Sequence, residues 1–290
     1  MKEFKYFLVM LTAVLFAAVG FSANRISPED VNFKESDDGI IHPVFFVNPT
    51  LRSAYLTSGK LGSNRPTFTF ESGMKHKLGD FGYFGLNVWV KNDLTKEFLD
   101  TRRDWANEID YIIYYGYKWK FAEGWALDSS ARFMWDVCYG RRTDTPRTLH
   151  EWRWRETLEM PWINFYAQVR AFIKPVDCAA LRLGVTKRYE IFDDVFLAPD
   201  ITIYGGTEEW HYYRFGYYTE EKPHYSIGPN SMTAQIDLVY KPSDNFEFFV
   251  GFGQWGIIMD AMRRQMKERK GPLGRRDLTY AHMGLKITFP

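Results

Sequence analysis

The stretch from Leu278 to Phe289 alternates without a break. Ala281, Met283, Leu285, Ile287 and Phe289 fall on one side, and Tyr280, His282, Gly284, Lys286 and Thr288 on the other. A period of two means an extended strand with one apolar and one polar face. That feature narrows the possible folds sharply, because an apolar sheet face has to be covered either by a second sheet or by lipid. The same alternation recurs upstream. Phe84, Leu86, Val88 and Val90 oppose Tyr83, Asn87, Trp89 and Lys91. Ile109 through Trp119 line one side of a longer run, and Trp125, Leu127, Ala131, Phe133, Trp135 and Val137 oppose Asp128, Ser130, Arg132 and Asp136.

The pattern predicts strands over 46–58, 67–78, 81–91, 108–120, 125–138, 162–174, 181–189, 232–241, 246–258 and 278–289. Residues 191–230 decide the count. They either add strands over 195–204 and 210–218, turning at Gly205-Gly206, or remain a large loop. Twelve strands is the expectation and ten the alternative. Pro199 counts against the first option, because proline has no N–H for a ladder. The run Trp152-Arg-Trp-Arg155 reads as a strand extending above the membrane. Its aromatic–basic alternation also suits a nucleic-acid surface, but export argues against that partner.

Short turns at Leu78-Gly-Asp80 and Phe121-Ala-Glu-Gly124 alternate with polar loops at 59–66, 92–106 and 139–150. Membrane barrels have this asymmetry, with short turns on one side and long loops on the other. Aromatic residues make up 18% of the chain, which suits rings placed between water and lipid. Mean hydropathy is negative, which argues against a helical membrane bundle but not against a barrel whose strands show only alternate residues to lipid. Lys2 and Lys5 precede an apolar run from Phe7 to Phe21, as in a cleaved signal peptide. The expected organisation is a signal peptide over 1–23, a periplasmic leader over 24–42, and one all-β antiparallel transmembrane barrel over 43–290. No helical period is expected outside the signal.

The closing motif His282-x-Gly284-x-x-Ile287-x-Phe289 resembles the C-terminal assembly signal of Gram-negative outer-membrane β-barrels. Pro290 departs from it, since that signal ends on the aromatic. The resemblance implies an outer-membrane location, contact with lipid and lipopolysaccharide, and recognition by the barrel-assembly machinery.

Inside such a barrel the expected lumen residues are Glu71, Lys75, Lys91, Asp110, Lys118, Asp128, Arg132, Asp136, Arg170, Arg182, Asp237 and Lys286, with Gln168 and Gln235 beside them. Mixed charge there suits either a small polar pore or a plugged interior of stabilising pairs. The function read from this is a passive small-solute channel or a mainly structural membrane protein. Two rivals stand beside it. His224-Tyr-Ser226 is similar to the His-x-Ser element of outer-membrane acyl hydrolases, which implies His224 as base and Ser226 as nucleophile. A secreted soluble β-sandwich would also alternate in this way. Asp193-Asp194 and Glu208-Glu209-x-His211 share residue types with the omptin-type proteases but match no motif of theirs. No metal site and no cofactor are expected. The basic stretch 263–276, with Arg263, Arg264, Lys267, Arg269, Lys270, Arg275 and Arg276, reads as a loop near the outer leaflet. Cys138 is expected near the outer rim and Cys178 in a periplasmic turn, too far apart for a disulfide.

Overall fold

The computed structural model describes residues 43–57, 60–63, 65–94, 108–138, 148–173, 177–211, 225–268 and 275–289. The expected signal peptide, the leader and His224 lie outside them. Alternation becomes a single antiparallel sheet closed on itself. Its twelve wall strands are β1 (Val44–Arg52), β4 (Thr67–Lys77), β5 (Tyr83–Asp93), β6 (Glu108–Ala122), β7 (Trp125–Cys138), β8 (Thr148–Glu159), β9 (Asn164–Ile173), β10 (Cys178–Thr186), β12 (Val195–Gly206), β13 (Gly228–Ser243), β14 (Phe246–Ile257) and β15 (Asp277–Phe289). Two short strands, β2 (Tyr55–Thr57) and β3 (Lys60–Ser63), form a separate hairpin, and β11 (Tyr189–Phe192) continues the line of β10. Neighbours in sequence are neighbours in the wall. Closure comes from β15, which pairs with both β14 and β1, and from β10 pairing with β12. One closed sheet leaves no second sheet to face it, so the soluble sandwich is excluded.

The twelve strands are not the twelve that the pattern suggested. Residues 148–159, which hold the Trp-Arg run, form a full wall strand rather than an extension above the barrel. Residues 210–211 lie instead in a four-residue helix, Glu208–His211, and 212–218 fall outside the described residues. Inserting β8 reverses the direction of the next three wall strands, β9, β10 and β12. The connection at 174–177 therefore belongs to the long-loop end, and Cys178 sits at that end with Cys138, not in a periplasmic turn. Two strands, β8 and β9, still separate the pair. At roughly 4.8 Å per strand that spacing exceeds bridging distance, and Cys178 is a buried free thiol. The expectation of no helix beyond the signal also fails. Asp260–Glu268 is helical because its apolar Met262 has a cluster to enter.

The prolines show how the ladder tolerates them. Thr186 Oγ1 donates to the Pro199 carbonyl at 3.0 Å, so the imide nitrogen of Pro199 faces the same neighbour. That neighbour is the break between β10 and β11, where no ladder bond is due. On its other side Pro199 stays in register with Ile236. Pro49 acts likewise in β1. Its register with Phe70 of β4 is kept, while the pairing with β15 lapses between Val47 and Thr50.

Polarity is inside out relative to a soluble barrel. Lys75, Lys91, Asp110, Glu151 and His282 are buried facing inward, while Ile113, Tyr115, Trp152, Leu238, Phe252 and Met283 are exposed facing outward. At the short-turn end Phe81, Trp119, Phe121, Trp162 and Phe192 are all exposed, a girdle of rings of the kind that sits at a bilayer interface. An apolar outer band over a charged interior is the arrangement a lipid solvent requires.

Candidate functional site: the barrel interior

Each inward position follows from strand parity, and every lumen residue expected from the sequence shares the inward face. Asn87 Nδ2 donates to Glu71 at 2.5 Å. Lys75 lies 3.9 Å from the centre of the Tyr83 ring, and the Tyr83 hydroxyl donates to Asp128 at 2.7 Å. Lys91 pairs with Asp93 at 3.3 Å. Lys118 pairs with Glu159 at 2.5 Å, but at the short-turn rim, where both are part exposed. Asp237 meets His282 Nε2 at 2.9 Å and accepts from Gln235, whose Oε1 receives the Tyr280 hydroxyl at 2.9 Å. Lys286 is buried and in register with Glu247. Inward glycines make room for these rings. A Cβ on Gly116 would lie 2.3 Å from the Tyr83 ring, and one on Gly85 would lie 2.1 Å from Tyr114.

The wall also carries groups that sequence reasoning missed. Glu151 has no exposed surface and receives bonds from both Arg153 and Arg170, the Arg170 Nε contact measuring 2.7 Å. Arg188 grips Glu247 through two bonds of 2.9 and 2.7 Å. Arg188 lies in the break between β10 and β11, and β12 and β13 stand between it and β14, so that pair ties non-neighbouring parts of the wall together. Parity would have shown Glu151, Arg153 and Arg155 as inward once Trp152 and Trp154 were taken as lipid-facing. Arg188 was legible from parity, but its partner was not.

Register places like charges side by side. Asp110 of β6 is directly opposite Asp136 of β7. Arg132, Arg153 and Arg170 form one row across β7, β8 and β9. Carboxylate oxygens of Glu108, Asp110 and Asp136 lie within 4.8 Å of one another. On the other side, the Arg182 guanidinium lies 5.4 Å from each of the Tyr166 and Tyr204 rings. Of these groups, Glu108, Asp110, Asp136, Arg153, Arg170, Arg182 and Tyr204 border a cavity of about 110 Å³, together with Arg52, Tyr55, Trp89, Thr233 and Tyr280.

The long-loop end folds into its own mouth. Tyr55 of the β2–β3 hairpin meets the inward Trp89 ring at 5.8 Å. Leu61, Tyr225, Trp255, Ile257, Met262 and Tyr280 form an apolar cluster there, and Trp210 stacks on Phe172 at 4.9 Å. His211 is buried beside it with Nδ1 2.9 Å from the Ser226 carbonyl, and burial pushes its pKa down to about 4.

The sequence motifs outside the lumen do not assemble into a catalytic site among the described residues. Ser226 is exposed on a loop, and the contact it makes with His211 uses its backbone oxygen, not its hydroxyl. Asp193-Asp194 occupies a short turn, with Asp194 at φ 63°, at the opposite end of the barrel from Glu208, Glu209 and His211. Arg263 is held by Asp277 through two bonds of 3.0 Å, and 269–274 lie outside the described residues. In the closing motif, His282 faces inward, Gly284 leaves room for the Phe249 ring, Ile287 pairs with Val47 and Phe246, and Phe289 is exposed beside Phe45.

Its architecture is that of a closed twelve-stranded antiparallel β-barrel with an apolar outer face. No family model and no curated protein matches the sequence. Among solved structures the chain is similar to the KdgM porin in complex with disordered oligogalacturonate, at 12% identity and a TM-score of 0.46 over 85% of this chain and 99% of that one. It is similar also to an outer membrane channel from Pseudomonas putida F1, at 6% identity and 0.48 over 85% and 95%. A third is outer membrane phospholipase A from Escherichia coli, at 13% identity and 0.45 over 91% and 94%. Likeness at this level concerns the barrel and assigns neither a solute nor a reaction.

Proposed function

We propose that this chain is an outer-membrane channel that passes small polar solutes down their gradients. One observation carries the reading: a charged cavity lies inside a closed barrel whose outer wall is apolar. A barrel built only for structural support has no need of open space lined by unlike clusters of charge. The cavity borders the interior at the long-loop end, where the folded-in hairpin narrows the mouth and limits the size of what passes. Export through the 1–23 signal, contact with lipopolysaccharide and recognition of the 282–289 motif by the assembly machinery belong to the same proposal. Planar-bilayer recordings on refolded protein test it. Discrete conductance steps are expected. Protein that shows heat-modifiable gel migration, and so is folded, yet carries no current above background would overturn the channel reading.

A further inference from the structure

The outer wall differs from one side of the barrel to the other. On β12–β15 it exposes Ile201, Ile203, Met232, Leu238, Val250 and Phe252, side chains with no hydrogen bond to give. Polar outward groups on that side sit near the rims, as Tyr240 and the bonded pair of Thr279 and Gln254 do. On β8 the outward side instead carries Trp152, Trp154 and Glu156 in succession. Rings of a membrane barrel gather at its two interfaces, yet these two tryptophans lie along the middle of the strand. Trp152 meets Phe133 of β7 at 4.9 Å. Glu156 accepts from the Trp154 indole at 2.6 Å and from the Ser129 hydroxyl at 2.8 Å. Both bonds end on Oε1, and Oε2 has no hydrogen-bond partner among the described residues. Leu158 and the girdle ring of Trp162 separate this carboxylate from the short-turn rim. An ionisable group inside the apolar band is costly, and one that faces hydrocarbon meets no donor there.

We propose that the outer face of β6–β9 is where a second copy of this chain docks within the membrane. Association in lipid relies on close packing and polar contacts, because lipid tails are as apolar as the wall. This face supplies both. Ala131, Ala167 and Ala171 stand directly beside Trp154, Glu156 and Trp152, so a second wall can approach closely between the rings. A second copy spans the membrane in the same direction. It therefore brings its own Trp154 indole and its Ser129 and Tyr117 hydroxyls to the depth of Glu156, since Tyr117 is in register with Ser129 and Ser129 with Glu156. A two-fold axis along the membrane normal sets the face against itself and serves both carboxylates at once. At roughly 4.8 Å per strand and about 25 Å of apolar height, four strands outline roughly 500 Å² per copy. The pair then covers about 1,000 Å², the size from which specific interfaces begin. The inference goes beyond the channel reading and does not depend on conduction.

The test places photoreactive p-benzoylphenylalanine at Trp152 or, on the opposite wall, at Leu238. The purified chain is refolded into phosphatidylcholine vesicles, and heat-modifiable gel migration checks that each variant is folded. On irradiation the Trp152 position should give an adduct of twice the chain's mass, and the Leu238 position should label lipid alone. Energy transfer between two dye-labelled populations, followed as the vesicles are diluted with lipid, gives the dissociation constant. E156Q should raise it about tenfold, the effect of weakening a charge-assisted contact, and L238A should leave it unchanged. The two probe positions leave Glu156 intact, so they decide the matter even if E156Q fails to fold. Equal two-chain adducts from both positions would mean random collision and overturn the site. A Trp152 probe that labels only lipid would show that lipid covers this face and overturn it too. An association that folded E156Q leaves untouched would remove the carboxylate from the contact, and with it the case for this face.

Discussion

Replacing Glu151 with glutamine tests whether the arginine row is held by one buried carboxylate. Glutamine keeps the shape of the side chain and one acceptor oxygen but removes the charge. Glu151 has no exposed surface and serves both Arg153 and Arg170. Removing one partner of a buried ion pair costs about 3–5 kcal/mol, mostly because the remaining charge is stranded. Both arginines also border the cavity, where water can reach them, which argues for the low end, about 3 kcal/mol. With a urea dependence of roughly 1–3 kcal/mol per molar, the unfolding midpoint should fall by about 1–3 M. The assay is urea titration in lipid vesicles, followed by the gel shift between folded and unfolded forms. Arg170→Gln should cost less than Glu151→Gln, because Arg153 would still neutralise the carboxylate. A midpoint unchanged by Glu151→Gln would refute the account of how this wall is held.

Three further outcomes follow from the geometry. Ile113→Arg puts a charge on the outer face between Leu86 and Phe133 and should cost about 2–4 kcal/mol near the bilayer midplane, read by the same titration. Gly116→Val drives a side chain into the Tyr83 ring and should break its 2.7 Å bond to Asp128, at about 1–3 kcal/mol; a stability equal to wild type would show that the ring can move aside freely. His211 is held neutral by burial, with a pKa near 4 against an ordinary 6.5. A depressed histidine pKa means that the open loop binds the proton first, so the closed packing is fully stable above about pH 6.5 and weakens as pH falls towards 4. Hydrogen exchange at residues 208–211 should accelerate over that window, and His211→Phe should remove the acceleration; exchange independent of pH after correction for the intrinsic rate would contradict it.

The barrel was legible because lipid and lumen impose opposite solvents on alternate residues, and ten of the twelve walls carry that signature plainly. β8 was misread for a physical reason. Its inward side is Glu151, Arg153 and Arg155 and its outward side Trp152 and Trp154, so both faces depart from the simple apolar–polar contrast, with charge that looks solvent-borne and rings that look like contacts. Counting 210–218 as a strand restored the even number, which is why the directions of the last three strands came out correctly while those of β9, β10 and β12 did not. Individual lumen residues could be read from parity. The like-charge rows could not, because they depend on the register between strands, and register is set by the whole closed sheet. The narrowed mouth was hidden for a related reason: Leu61, Tyr225 and Met262 belong to three different loops and share no local pattern.

The seam between β1 and β15 has a consequence for how the molecule is made. Its pairs join Thr50 to Gly284 and Val47 to Ile287, roughly 230 residues apart along the chain. Bringing such distant ends together costs about 5 kcal/mol of loop-closure entropy, and Pro49 interrupts the ladder that repays it. Until that seam forms, β1 and β15 each present an open row of backbone donors and acceptors, able to recruit another chain. No stretch of the polypeptide can therefore settle early as a finished unit while the rest is being synthesised. The chain must be kept apart from its neighbours until β15 arrives, and the barrel is complete only when β1 meets β15.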